Sequence, residues 1–346
     1  MKKLPVLYAV LAAACYGISI PISKLLLVNM PPVLMASMLY FGAGFGMGAV
    51  GLLGKERSKR QEAGLAKKDL PFVIAMVILD IAAPILLMIG LSTTNPATAS
   101  LLNNFEIVAT SVIALVVFKE AVGRRTWWAV VLITTASAIL SVGDISTLSF
   151  TPGAVLVLLA CLCWGIENNC TRMLSLKNPK QIVVIKGIGS GLGSLIIAFL
   201  THSFSRSTTY IIFALILGFV AYGLSIYFYI LAQRSLGASR TSAFYAVAPF
   251  IGVGLSFIIF REAPSPSFGI AVAIMIAGAY LAAFDRHKHQ HEHDILVHEH
   301  RHNHNDGHHA HAHDPPVAHE HSHNHEHAKL IHEHEHTPDL HHTHNH

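Results

Sequence analysis

The sequence predicts an all-α membrane protein with ten transmembrane helices, arranged as two inverted five-helix repeats and followed by a disordered C-terminal tail. Three observations support this prediction. Of the 346 residues, 52% are hydrophobic, and they form long apolar runs. Short motifs of the first half recur in the second half. Finally, 24 of the 25 histidines follow Asp285.

The apolar runs define ten predicted membrane spans. Each is near the length of about 20 residues that a helix needs to cross the hydrocarbon layer. The loops between them are short, apart from a basic loop at 54–69, which favours a compact helical bundle. The spans lie near residues 4–27, 31–53, 71–92, 97–118, 127–145, 153–175, 181–204, 209–233, 239–260 and 267–284.

The helical body and the tail carry opposite charge. The body has 20 Lys and Arg residues and nine acidic residues, which gives a net charge of +11. The tail has four Lys and Arg residues and 11 acidic residues, which gives a net charge of −7 when its histidines are neutral. Neither part has the basic pattern of a nucleic-acid-binding surface. We therefore expect no nucleic-acid partner, and the lipid bilayer is the expected environment.

The distribution of Lys and Arg predicts the orientation. Seventeen fall in loops on one side, Lys186 counted among them, and only Lys24, Arg206 and Arg261 fall on the other. Loops rich in Lys and Arg stay in the cytoplasm. We therefore expect a multi-pass protein of the cell's inner, cytoplasmic membrane with both termini, and hence the tail, in the cytoplasm.

Two ordered motif matches indicate an internal repeat. "CYGISIPISKLL" at 15–26 recurs as "CWGIENNCTRML" at 163–174, and "FKEA" at 118–121 recurs as "FREA" at 260–263. The matches predict repeats at 1–145 and 146–284, with the tail at 285–346. Because five crossings are an odd number, the second repeat is inverted, an arrangement typical of secondary transporters, although channels also use it.

These motifs resemble the drug/metabolite transporter (DMT) superfamily, specifically EamA-type permeases, over roughly residues 4–284. The resemblance implies a secondary-active transporter whose substrate could be an amino acid, nucleotide precursor, sugar or drug. The tail is not part of the common domain. The residues that carry the resemblance are Tyr16, Gly17, Lys24, Trp164, Gly165, Arg172, Glu120 and Glu262.

Three carboxylates inside predicted spans are candidates for substrate binding or ion coupling, because an unpaired charge in the bilayer is costly. They are Asp80, Glu106 and Glu167. Asn103 and Glu106 share one helix face, and Asn168 adjoins Glu167. We expect them to line a shared cavity and to exchange protons during transport. The alternative interpretation is that they only join helices by hydrogen bonds.

Four aromatic residues, Tyr16, Trp164, Tyr222 and Tyr245, are candidates to line a site for an organic substrate. Aromatic residues near span ends are more often interfacial, which is the alternative. The segment "GIGSGLGS" at 187–194 follows no predicted strand. We therefore interpret it as a close helix contact and not as a nucleotide-binding loop.

The tail alternates histidine with polar residues, a pattern too polar to bury a core and therefore predicted to be disordered without metal. Neutral imidazole binds zinc, nickel, cobalt and copper, so we expect the tail to bind divalent metal ions. The candidate ligands are His298, His300, His302, His304, His308, His309, His311, His313, His319, His321, His323 and His325.

We therefore expect a transporter and not an enzyme, one that needs no cofactor and exports a small organic metabolite, amino-acid-like or drug-like, by alternating access. The alternative is a transition-metal efflux permease, for zinc, nickel or cobalt, whose tail loads or senses the metal. In the body only the helix face of Cys163, Glu167 and Cys170 resembles a soft metal site. A membrane-anchored metal store is a third alternative. A homodimer is the assembly we consider.

Overall fold

The computed structural model describes residues 3–53, 65–118, 124–144, 149–174, 177–205, 207–236, 244–261, 264–283, 287–293, 296–302, 321–327 and 330–336. Its helices are α1 Lys3–Gly17, α2 Ser19–Leu26, α3 Pro32–Leu53, α4 Leu70–Thr93, α5 Pro96–Leu102, α6 Phe105–Phe118, α7 Arg124–Ser141, α8 Pro152–Leu174, α9 Pro179–Leu200, α10 Thr208–Gly218, α11 Ser225–Leu236, α12 Ala248–Phe260 and α13 Pro266–Ala283.

The helices establish a multi-pass membrane protein. Among the described residues, seven helical segments are long and apolar enough to cross a bilayer, and α12 and α13 are shorter apolar helices. The number of ten crossings stays a prediction. The predicted span at 127–145 is wrong at its end, because α7 stops at Ser141 and the backbone continues as strand β1, Val142–Asp144. That strand pairs with β2, Ser149–Phe150.

Apolar side chains cover much of the outer surface of the bundle. Leu52 is 90% exposed, Val28 77% and Leu200 76%. In water so many exposed large apolar side chains would favour association, whereas in a bilayer they contact lipid. Buried Met and Leu side chains such as Met35, Leu87 and Met88 form the core inside the bundle.

Helix pairs hold the bundle together: α3 packs against α9, α4 against α8, α1 against α11, and α7 against α13. The contact between α3 and α9 depends on two glycines. A Cβ added to Gly187 would lie 2.4 Å from the backbone nitrogen of Gly44. This close approach confirms that the glycine-rich segment serves helix packing.

Several spans are interrupted inside the bundle. A turn at Ile18 separates α1 from α2, and a turn at 103–104 separates α5 from α6. Between α10 and α11 lies a π-helical segment, Phe219–Leu224, and a turn at 246–247 precedes α12. At membrane depth such irregular backbone is stable only where it is buried in protein or lines a water-filled cavity.

The tail differs from the prediction of disorder in four segments. Strand β3, His287–His293, pairs antiparallel with β6, Leu330–His336, and β4, Leu296–His302, pairs with β5, His321–His327. Strict alternation of histidine with other residues has the two-residue period of a strand, and pairing satisfies the backbone hydrogen-bonding groups. Of the predicted metal ligands, His304, His308, His309, His311, His313 and His319 lie outside the described residues.

Candidate functional site

Three charged side chains from three helices meet inside the bundle. The Nζ atom of Lys186, on α9, lies 3.2 Å from Oδ2 of Asp80 on α4 and 2.9 Å from Oε1 of Glu167 on α8. Asp80 is 0% exposed, Glu167 1% and Lys186 7%. We call Asp80, Glu167, Lys186 and their neighbour Tyr40 the ion cluster.

Hydrogen bonds complete the ion cluster. Tyr40, on α3, donates its hydroxyl to Oδ1 of Asp80 at 2.8 Å. The hydroxyl of Thr171 donates to Oε1 of Glu167. Each buried carboxylate therefore has both a cation and a hydrogen-bond donor, the condition under which a charge is stable away from water.

Lys186 corrects the prediction that it belongs to a cytoplasmic loop. The side chain of Asn178 caps the start of α9, where Pro179 follows, so Lys186 lies two turns, or about 10 Å, inside the helix. It is flanked by Ile185 and Gly187 in an apolar run, a sequence signal that could have identified it. Without it, sixteen basic residues remain on the predicted inner side, and the orientation stays a prediction.

Glu106 has a different environment. It is half-buried, and its Oε1 accepts a hydrogen bond of 2.6 Å from Nδ2 of Asn168 on α8. Asn168 also donates to Thr110 at 3.2 Å. The two helices approach closely because α8 has a glycine, Gly165, where it packs against Ala109 of α6. A Cβ added to Gly165 would lie 2.5 Å from the Cβ of Ala109. The predicted partners on α6 and α8 thus meet.

Three of the four predicted aromatic residues form one cluster. The ring of Tyr16 lies 6.0 Å from that of Tyr222 and 5.7 Å from that of Tyr245, between ring centroids. Asn103 donates to the Tyr16 hydroxyl at 2.8 Å. We call Tyr16, Tyr222, Tyr245, Asn103, Glu106 and Asn168 the tyrosine site.

The tyrosine site and the ion cluster are neighbours. The Tyr40 ring, whose hydroxyl binds Asp80, lies 5.4 Å from the Tyr222 ring. Tyr222 also accepts a hydrogen bond of 3.4 Å from Ser19. The structure thus brings eight of the nine predicted site residues into two adjoining groups, and adds Lys186 and Tyr40, which the sequence analysis missed. A Tyr in an apolar span gives little signal by itself.

Trp164, 6% exposed, belongs to the same hydrophobic core as Tyr40 and Tyr222, but it makes no ring contact with the tyrosines in the described part of the chain. The Cys163, Glu167 and Cys170 face also differs from a metal site, since Glu167 pairs with Lys186. Among the described residues no three His, Cys, Asp or Glu side chains are grouped to hold a metal ion.

The interrupted spans position the tyrosine site. Asn103 lies in the turn between α5 and α6, Tyr245 directly precedes the turn before α12, and Tyr222 lies in the π-helical segment. Glu106 is in the first turn of α6, where the helix dipole favours a negative charge. Backbone irregularities in three spans therefore converge on one group of polar and aromatic side chains.

These features define a polytopic helical membrane protein with a polar, charged interior. The profile of the EamA-like transporter family matches residues 3–142 and 151–284. The chain belongs to the EamA-like transporter family, and it is a transporter and not an enzyme.

Two further comparisons agree. A protein of Methanothermobacter thermautotrophicus named "Uncharacterized transporter" is 25% identical over 287 residues, which cover 78% of this chain and 83% of that protein. A solved crystal structure aligns with a TM-score of 0.60 at 16% sequence identity, over 82% of this chain and 97% of that chain. This second likeness concerns the fold alone.

Proposed function

We propose that this transporter is secondary-active and exports a small organic metabolite from the cytoplasm by alternating access between two inverted five-helix halves. The observation that carries the proposal is the convergence of interrupted spans on the tyrosine site. Substrate sites of secondary transporters are commonly built from discontinuous helices near the middle of the bilayer.

Two interruptions support the inverted halves. Helix α6 begins at Phe105 and ends at Phe118, and α12 begins at Ala248 and ends at Phe260. The starts differ by 143 residues and the ends by 142. The turn before α6 and the turn before α12 thus occupy corresponding positions in the two proposed halves, as expected if one helix repeats the other.

The helix pairs also fit this symmetry. If span n of the first half corresponds to span n + 5 of the second, the contact of the third span with the sixth corresponds to that of the eighth with the first. The third and sixth spans are α4 and α8, and the eighth and first spans contain α11 and α1. Both pairs are in contact. The contacts of α3 with α9 and of α7 with α13 each join a span to its counterpart in the other half. Exchanging the two halves therefore leaves these contacts unchanged.

The ion cluster is the proposed coupling element. Asp80 belongs to the first proposed half, and Lys186 and Glu167 belong to the second, so the cluster joins the halves that alternating access would move. A proton bound by Asp80 or Glu167 would remove one of the two charges that hold Lys186. Protonation would thereby weaken this link and favour the other conformation.

Proteoliposomes containing the full chain and an internal pH-sensitive dye test the coupling. Phenylalanine, uridine and phenylethylamine serve as probes of different chemistry, each added to one side. We expect at least one probe to move protons in the opposite direction, and Asp80→Asn and Glu167→Gln to abolish this movement. Probe transport without any proton movement in the unchanged chain, or unaltered proton movement in both variants, would contradict proton coupling.

We further propose that the tail binds transition-metal ions as an accessory to the transporter. In the two ladders the backbone register sets histidine opposite histidine: His289 opposite His334 and His291 opposite His332 in one, His300 opposite His323 in the other. Neutral imidazole is a good ligand for zinc, nickel, cobalt and copper.

The alternative of metal efflux is tested by comparing cells with the full chain, with a chain truncated after Asp285, and without the protein. A metabolite exporter predicts resistance to toxic amino-acid or amine analogues that survives truncation. A metal exporter predicts lower accumulation of zinc, nickel or cobalt that requires the tail. The second result without the first would replace the proposed function with metal efflux.

A further inference from the structure

The interior of the bundle has more negative than positive groups. Among the described side chains, Lys186 is the only buried lysine or arginine, and it contacts Asp80 and Glu167. Glu106 is the third carboxylate, and within the described part of the chain no lysine or arginine pairs with it. When all three are ionised, three carboxylates against one ammonium group leave the ion cluster and the tyrosine site together with more negative than positive charge.

Glu106 has a hydrogen-bond donor at one carboxylate oxygen and an open position at the other. Its Oε1 accepts from Asn168, and the dipole of α6 stabilises the charge at that helix's first turn. Unlike Asp80 and Glu167, which are closed off from solvent, Glu106 is half-buried. No described side chain donates a hydrogen bond to Oε2 of Glu106, so that oxygen is left for a ligand.

Tyrosine rings belong to the same site as this carboxylate. Tyr16 is held by Asn103, which lies one helical turn before Glu106, and Tyr245 stacks beside Tyr16 at 5.7 Å. The face of a tyrosine ring attracts cations, so the rings and the carboxylate favour the same kind of ligand.

A substrate carboxylate finds no comparable partner. Lys186 is held by two acidic side chains, and Lys24 donates to the carbonyl oxygens of Leu91, Ser92 and Thr94 at 2.6–3.1 Å. A zwitterion would therefore place its carboxylate near Glu106 without a described cation to balance it, at an electrostatic cost.

We infer that the substrate is an organic amine whose ammonium group pairs with Glu106 between the tyrosine rings, and that it carries no carboxylate. The inference rests on the proposed function, since it names the substrate class of the same site. A bound ammonium group would supply the missing positive charge and a hydrogen-bond donor to Oε2 of Glu106.

Three probes of similar shape and different charge test this inference. Phenylethylamine is a cation, 2-phenylethanol is its neutral counterpart and phenylalanine is the zwitterion. Binding of each to the purified full chain is measured by isothermal titration calorimetry at pH 7. We expect phenylethylamine to bind about tenfold or more tightly than the other two, since hydrogen bonds between charged groups are the stronger ones.

Variants assign the preference to Glu106. In Glu106→Gln the preference for the amine over the alcohol should fall to about threefold or less, and Glu106→Asp should keep part of it. The matched control is Asp69→Asn, which removes a carboxylate that pairs with Lys177 at the end of the bundle, 3.6 Å away. The control should keep the full preference.

The inference is overturned if phenylethylamine shows no saturable binding, if phenylalanine or 2-phenylethanol binds as tightly, or if Glu106→Gln keeps the preference. Flux of the same probes in proteoliposomes separates the two proposals. Amine binding without flux contradicts the transport mechanism and leaves the site assignment standing. Flux of phenylalanine but not of the amine contradicts the site assignment and leaves the transporter standing.

Discussion

Lys186 and Asp80, which are 106 residues apart in the sequence, form an ion pair of 3.2 Å between α9 and α4. Each lies within an apolar helix, and neither charge would be stable there alone. The same ammonium group lies 2.9 Å from Glu167, so the Nζ atom of Lys186 joins α4, α8 and α9. This shared contact leads to the first two predictions.

Replacing Lys186 with methionine should destabilise the protein by about 3–5 kcal/mol, because two buried carboxylates lose their shared cation. The measurement is the free energy of unfolding in detergent. The triple variant Lys186→Met, Asp80→Asn, Glu167→Gln should recover most of that loss, since no uncompensated charge is left. Lys68→Met, at an exposed position, is the control. A stable Lys186→Met variant would show that the ion cluster does not hold the helices.

Replacing Tyr40 with phenylalanine should cost about 1.5–3 kcal/mol, the usual contribution of a hydrogen bond to a charged group. The ring keeps its contact with Tyr222, so the change removes only the donor to Asp80. Tyr210→Phe serves for comparison, because that hydroxyl accepts from Asn29 at an exposed site and should matter little. Equal effects of the two substitutions would argue against a special role for the Asp80 contact.

The substitution Gly187→Ala should separate α3 from α9 and destabilise the protein by about 1–3 kcal/mol, as overpacking does. Its Cβ would meet the backbone of Gly44, which cannot rotate away. Gly254→Ala is matched to it, because a Cβ there meets nothing within 4 Å. Thermal unfolding of both variants is the measurement, and an undisturbed Gly187→Ala protein would refute the close contact.

Removing the tail after Asp285 should abolish high-capacity binding of zinc or nickel and leave probe transport unchanged. Competition with a coloured chelator measures the binding. In the full chain binding should weaken as the pH falls from 7 to 5.5, because a metal ligand must be unprotonated and the ordinary pKa of imidazole is about 6.5. Loss of transport on truncation would show that the tail is part of the transport mechanism.

Most of the helices and much of the site could be predicted from hydropathy and residue type. Asp80, Glu106 and Glu167 were recognisable because a carboxylate in an apolar run needs a reason to be there. Lys186 was missed because it lies near a predicted span end, where basic residues usually belong to loops. The capped start of α9 at Asn178 places it two turns inside the helix.

The tail shows the opposite limit. Its composition predicts metal binding from residue type alone, and the same alternation that suggested disorder also fits a strand. Which strands pair depends on contacts between distant segments, such as β3 with β6, and composition carries no information about that pairing.

Hydropathy and residue chemistry are local properties, and they were enough to predict a membrane protein with carboxylates inside its spans and a histidine-rich tail. Which charges are neutralised depends on the folded arrangement of the helices: Lys186 joins Asp80 and Glu167, and Glu106 is left with Asn168. That choice depends on how closely helices distant in sequence approach, at contacts such as Gly44 with Gly187. Pairing of charges is a property of distance in space, which the order of residues does not state.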